Sequence, residues 1–150
     1  RRPQKGKEML GYALRQSLEA ASLDGKVIPV GEAPEDGPVL EVDSSQAGVA
    51  FDTIIQFLAA RAELKPVQVA ARVVVHPEGD VEAAVHAPDV ILDEETLASV
   101  RQAVMLNHDD TRESYPGLAL AEAVARIHGG RFVAASGAEG TTLGLRLPQG

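Results

Sequence analysis

Four histidines, His76, His86, His108 and His128, are the side chains of this sequence best suited to bind a metal or move a proton near neutral pH. A metal site needs ligands that converge, commonly a pair three or four residues apart on one helix, and no two of these histidines stand at such a spacing. They read as surface or internally satisfied histidines, and no metal ligand is expected. His108 is followed by Asp109 and Asp110, a histidine and acid that would suit a phosphate-accepting imidazole. It lies in the polar stretch "NHDDTRESYPG" instead of on a helical hairpin, and reads as an ordinary exposed side chain. Asp93, Glu94 and Glu95 bring carboxylates together, but directly ahead of an apolar-periodic run, where a helix dipole favours negative charge. They read as a helix start, and no catalytic residue is expected.

The elements that position these residues follow from periodicity. In "KEMLGYALRQSLEAASLDG", Leu10, Leu14, Leu18 and Ala21 recur at helical spacing and Asp24-Gly25 ends the run. "KVIPVGEA" and "PVLEVD" flank the turn-rich "PEDGP" and read as a short hairpin, with Pro29 suited to an edge. A second helix runs from "DSSQ" through "AGVAFDTIIQFLAARAEL", burying Phe51, Ile54, Ile55 and Leu58, with Asp43 or Ser44 as cap. "VQVAARVVVHP" and "DVEAAVHAP" read as central strands joined at Glu78-Gly79. A short helix "DEETLASVRQAVM", a flexible loop over 107–117 and a helix through Leu120, Val124 and Ile127 follow. Gly129-Gly130 closes that helix and two final strands turn at Gly140. This order suits an α/β (α+β) two-layer sandwich, a mixed β-sheet covered on one face by about three helices.

Composition narrows the function classes. The chain has 150 residues, 45% of them hydrophobic and only 3% aromatic, enough for one domain with an aliphatic core. A net charge of −8 argues against nucleic acid, whose phosphates demand a basic surface. The absence of cysteine excludes disulfides and thiolate chemistry. No signal peptide and no membrane-length apolar run is present, so a cytoplasmic location without membrane insertion is expected. The opening on Arg1 reads as a piece of a longer chain.

The ending "GLALAEAVARIHGGRFVAASGAEGTTLGLRLP", Gly117 to Pro148, resembles the end of the ATP-binding domain of sensor histidine kinases. These share the GHKL (Bergerat) ATPase fold with DNA gyrase, heat-shock chaperones and MutL. The usual form of that ending is "GLGLAIVxxIVxxHGGxIxVxSxxGxGTxFxIxLP", and the turn here is one residue shorter. By the same resemblance the helix ending in "FLAARA" stands for the asparagine box, and "VHAPDVIL" for the first glycine box. The resemblance thus implies one histidine-kinase-like ATPase domain over 1–150.

What the resemblance implies about ligands can be checked residue by residue. The asparagine box supplies an oxygen ligand to magnesium, whereas Phe57 and Arg61 occupy its two asparagine positions, and a guanidinium has no lone pair to offer. The first glycine box reads adenine with an aspartate and keeps glycines beside the base. Ala87 stands at the aspartate, and Asp89 and Ile91 stand at the glycines, with Asp89, two residues on from Ala87, close enough to be kept as a substitute acceptor. The second glycine box keeps Ser114, Gly117 and Leu118 but has Tyr115 and Pro116 within it, and Gly140-Thr141 matches the last glycine motif. Any retained nucleotide contact would therefore fall on Asp89, Ser114, Gly117, Leu118, Gly140 or Thr141, although Gly129-Gly130 and Gly140 are also what a helix cap and a strand turn require.

Three functions stay open on these residues. The favoured one is a degenerate domain of a two-component histidine kinase or histidine phosphotransferase that binds ATP poorly, needs no cofactor, and docks to a response-regulator receiver domain or to its own dimerisation domain, the full-length protein being a homodimer. The second is a divergent but active kinase domain that binds Mg-ATP. The third is an anti-sigma-factor-like binding module on the same fold.

Overall fold

The computed structural model describes residues 4–103 and 116–149. A short strand β1 (Gly6–Met9) leads into helix α1 (Leu10–Leu23), whose Leu10, Leu14, Leu18 and Ala21 are buried as their spacing predicts. The helix stops because Gly25 turns left-handed at φ +73°, letting Lys26 N–H bond the Ala21 carbonyl and Gly25 N–H the Ser22 carbonyl. The sequence places residues 7–9 in this helix. They are instead extended, because Lys7 to Met9 pair with Val39 to Glu41.

Strands β2 (Val27–Pro29) and β3 (Val39–Val42) do not form the hairpin expected from "PEDGP". β3 pairs antiparallel with β1 in a small two-stranded sheet, and β2 pairs parallel with β4 (Val67–Val75). The intervening loop explains the difference. It is fastened to α1, with Gly11 N–H donating to the Asp36 carbonyl at 3.1 Å, an Arg15 guanidinium N–H donating to the Pro34 carbonyl, and an Arg15–Asp36 ion pair. Gly11 is needed at that crossing, since a Cβ there would run into the Glu35 and Asp36 carbonyls.

The main sheet has the order β2-β4-β5-β7-β6, with β5 at Val81–Ala87, β6 at Arg131–Gly137 and β7 at Gly140–Leu147. It is mixed, only the β2–β4 pair being parallel. β4 and β5 are interior strands joined by a turn at Gly79, as the sequence indicates, and Pro29 sits on an edge strand. Alternate residues Val81, Ala83, Val85 and Ala87 of β5, and Thr141, Leu143, Leu145 and Leu147 of β7, are buried on one face. Helix α2 (Ser44–Arg61) covers β5 and β7 there, α1 covers the β2 side, and α4 (Pro116–Ile127) with the shorter α3 (Glu94–Ala103) covers β6. Pro116-Gly117, expected at the end of a loop, opens α4, where a missing N–H costs nothing. The rest of that loop, with His108, lies outside the described residues.

His128 ties two of these helices together. It is buried, accepts the Asp43 N–H on Nε2 at 2.9 Å, and so carries its proton on Nδ1, which donates to the Val124 carbonyl at 2.8 Å. Asp43 in turn caps α2, its Oδ1 accepting the Gln46 N–H at 3.1 Å. The start of α2 and the end of α4 are thereby held side by side.

Candidate functional site

Among the residues that match the ligand positions of the resemblance, Phe57 and Arg61 lie at the end of α2, Ala87 at the end of β5 and Gly140-Thr141 at the start of β7. At the end of α2 the Arg61 guanidinium lies over the Phe57 ring, 5.2 Å from its centroid, a cation–π contact that fixes the arginine along its own helix. Its charge also acts on Asp93, at the start of α3. Asp93 accepts the Thr96 N–H at 2.6 Å, capping α3 in the way the acidic run suggests. That backbone bond, then the Thr96 side chain and, more weakly, Arg61, hold the Asp93 carboxyl below its ordinary range, against a small opposing contribution from burial.

Across the sheet Ala87 and Thr141 are paired neighbours on β5 and β7, both fully buried. The Thr141 hydroxyl donates to the Val90 carbonyl at 2.7 Å, so the Ser136 hydroxyl 2.8 Å away donates to Thr141. The Ser136 oxygen is left to accept the Leu92 N–H at 2.9 Å. This relay staples the 88–92 segment onto the β6–β7 hairpin. Gly140, at φ +117°, lies against the Ala87 carbonyl and Pro88, where no Cβ fits. Ser136 is a residue that sequence reasoning passes over. The signal for it is its position opposite Thr141, one pair beyond the turn.

The remaining expected contacts separate. Asp89 is exposed on the turn after β5, and Ile91 is 61% exposed beyond it. Gly117 lies in the first turn of α4, the Leu118 side chain is 1% exposed in the core, and Ser114 falls outside the described residues. His76 bonds Glu82 at 3.0 Å, and His86 bonds Thr142 and the Glu139 carbonyl, all on the uncovered sheet face. Among the described residues no three histidine or acidic side chains converge as a metal site would require. An open groove of about 370 Å³ between α1 and the start of α2, lined by Gln16, Ser17, Ser45 and Asp52, contains none of the matched positions.

No protein-family profile and no curated protein sequence matches the chain. Solved structures do. The ATP-binding domain of PrrB from Mycobacterium tuberculosis superposes with a TM-score of 0.69 at 23% identity, covering 98% of each chain. The catalytic domain of histidine kinase ThkA, in a nucleotide-free form, gives a TM-score of 0.74 at 12% identity over 97% of this chain and 96% of that one. Acinetobacter baumannii histidine kinase AdeS gives 0.69 at 10% identity, over 99% of this chain and 69% of its own. The fold is that of a histidine-kinase catalytic domain. The mixed sheet with helices on one face is therefore the histidine-kinase arrangement, and the β6–β7 ending that carries the sequence resemblance is an integral part of it. Among the described residues no helix is long and apolar enough to cross a membrane.

Proposed function

We propose that this chain is a histidine-kinase-type domain that no longer binds ATP efficiently and acts in two-component signalling by docking to a protein, either a response-regulator receiver domain or dimerisation segments of its own protein. The observation that carries the reading is Ala87. It is fully buried at the end of β5, where the resemblance calls for the carboxylate that reads adenine, and a methyl group offers a base no hydrogen bond.

The surrounding residues agree with it. Arg61 stands at a magnesium-ligand position and stacks on Phe57, and a guanidinium donates hydrogen bonds without coordinating metal. The Thr96 amide at the start of α3 is already taken by Asp93, and Asp93, Glu94 and Glu95 put three carboxylates at that end of the helix. The Thr141 and Ser136 hydroxyls are committed to the fold's own backbone. These residues do not fit Mg-ATP.

The test is the thermal midpoint with and without millimolar Mg-ATP. A ligand at about 100 times its Kd stabilises the folded state by about 2.7 kcal/mol, a rise of several degrees in a domain of this size. No rise is expected, and a saturable one would overturn the loss of binding. Titration with isolated receiver domains then addresses docking, and failure to bind any receiver or dimerisation segment would favour the anti-sigma-factor-like module.

A further inference from the structure

The five-stranded sheet ends on two edges, and they are protected differently. β2 is only three residues long and ends in Pro29, which has no N–H to offer a new strand. β6 is seven residues long, apolar apart from Arg131 and Ser136, and among the described residues lies at the other margin. An edge of that length and composition invites a further strand.

The hydrogen-bond phase of the sheet identifies which groups of β6 face outward. His76 N–H donates to the Asp80 carbonyl at 2.8 Å, which makes 76 and 80 a hydrogen-bonded pair. Alternation along the β4–β5 register then turns residues 82, 84 and 86 toward β4, and Val81, Ala83, Val85 and Ala87 toward β7. Their partners Thr141, Leu143 and Leu145 face β5, which leaves Thr142, Gly144 and Arg146 to bond β6 through Ala135, Val133 and Arg131. The backbone groups of Phe132, Ala134 and Ser136 must therefore point away from the sheet. The side-chain geometry agrees independently: the Arg101 guanidinium of α3 donates to the Ala134 carbonyl at 2.9 Å, a contact possible only if that carbonyl faces outward.

Arg101 thus caps the middle of the outward row. We infer that it is an edge guard, which keeps β6 from pairing with β6 of a second copy of this chain. That pairing is geometrically self-consistent. Antiparallel association about a two-fold axis at Ala134 sets Ala134 opposite Ala134 and Phe132 opposite Ser136, and it places each Arg131 against a Gly137, so no like charges meet. A cation seated on the central carbonyl removes the acceptor on which that register is built and puts a charge where the second strand would lie. Ala134 offers a clean control, because its N–H faces outward. Proline there deletes an edge donor and leaves the ladder to β7 whole.

The experiment is sedimentation velocity of the full chain across a concentration series. The wild type is expected to stay monomeric, Arg101→Ala to shift toward twice the monomer mass with rising concentration, and Arg101→Ala with Ala134→Pro to return to the monomer. Circular dichroism accompanies each variant. Arg101→Lys, which keeps a cationic donor, is expected to stay monomeric, and Arg101→Met, which keeps the aliphatic stem without donor or charge, is expected to dimerise and serves as the reading if the alanine variant fails to fold. A folded Arg101→Ala that is monomeric throughout, an association that survives Ala134→Pro, or dimerisation of Arg101→Lys would each overturn the assignment.

Discussion

Ala87 and Thr141 are cross-strand neighbours, and they belong to two regions that compare differently with the family pattern, the first departing from it and the second matching it. On the Thr141 side, the glycines and hydroxyls of the β6–β7 hairpin that match the family pattern include several with a structural task. Gly130 and Gly144 lie where a Cβ would strike the Arg146 and Ala83 carbonyls, Gly140 crosses the Ala87 backbone, and Ser136 and Thr141 fasten the 88–92 segment. On the Ala87 side, the positions that the resemblance assigns to nucleotide contact hold Ala87, Ile91, Phe57 and Arg61, of which Ala87 is fully buried, Ile91 is exposed and Arg61 lies over the Phe57 ring. Packing constrains a position whatever ligand is bound, whereas a ligand constrains it only while the ligand matters. The motif that identifies the fold most clearly is therefore weak testimony about activity.

Substitutions on the hairpin side probe this contrast, and the largest effect is expected at Gly144. An alanine Cβ would lie 2.7 Å from the Ala84 Cβ and press on the Ala83 carbonyl, in the middle of two backbone ladders that cannot easily separate. Gly144→Ala should cost about 3 kcal/mol in urea denaturation, and a cost under about 1 kcal/mol would mean the hairpin is held by something other than close backbone contact. A smaller loss is expected from Thr141→Val, which keeps the shape but removes the donor to Val90 and the acceptor for Ser136. About 1 to 2 kcal/mol is expected by the same measurement, with no dependence on nucleotide. If Mg-ATP altered that difference, Thr141 would be a ligand residue after all.

The smallest effect belongs to Asp93, at the start of α3. Its folded-state pKa is depressed, chiefly by the Thr96 N–H, so its contribution to stability is present above the unfolded pKa near 3.8 and is lost as pH falls through the lower folded value. An NMR titration of the Asp93 carboxyl should give a midpoint below 3.8, and Asp93→Asn should flatten the acid limb of the stability curve while leaving neutral pH nearly unchanged. A midpoint at or above that value would mean the cap on α3 does not persist in solution.

Much of this was legible in the chain. Helical spacing located α1, α2 and α4, because burying one stripe requires apolar residues at that period whatever the neighbours are. The turn at Gly79 and the helix stop at Gly129-Gly130 were legible because left-handed backbone leaves few alternatives to glycine. The partners of β2 and β3 were not. "PEDGP" has the composition of a hairpin turn, and only the anchoring of that loop to Gly11 and Arg15 sends the two strands into different sheets.

The candidate site divides in the same way. Residue type alone settled that the Ala87 side chain cannot accept a hydrogen bond and that the Arg61 guanidinium cannot ligate a metal, since those are properties of the side chains wherever they lie. Only the tertiary structure decided which partners other side chains meet. Leu118 serves the core, Thr141 holds Val90, His128 binds the amide of Asp43 across 85 positions of chain, and Arg101 reaches the outward carbonyl of β6. Local pattern fixes which segments become helices and strands, because it is read within a few residues. Which hydroxyl, imidazole or guanidinium meets which carbonyl or amide depends on distances closed only when the layers pack, and no spacing along the chain encodes them.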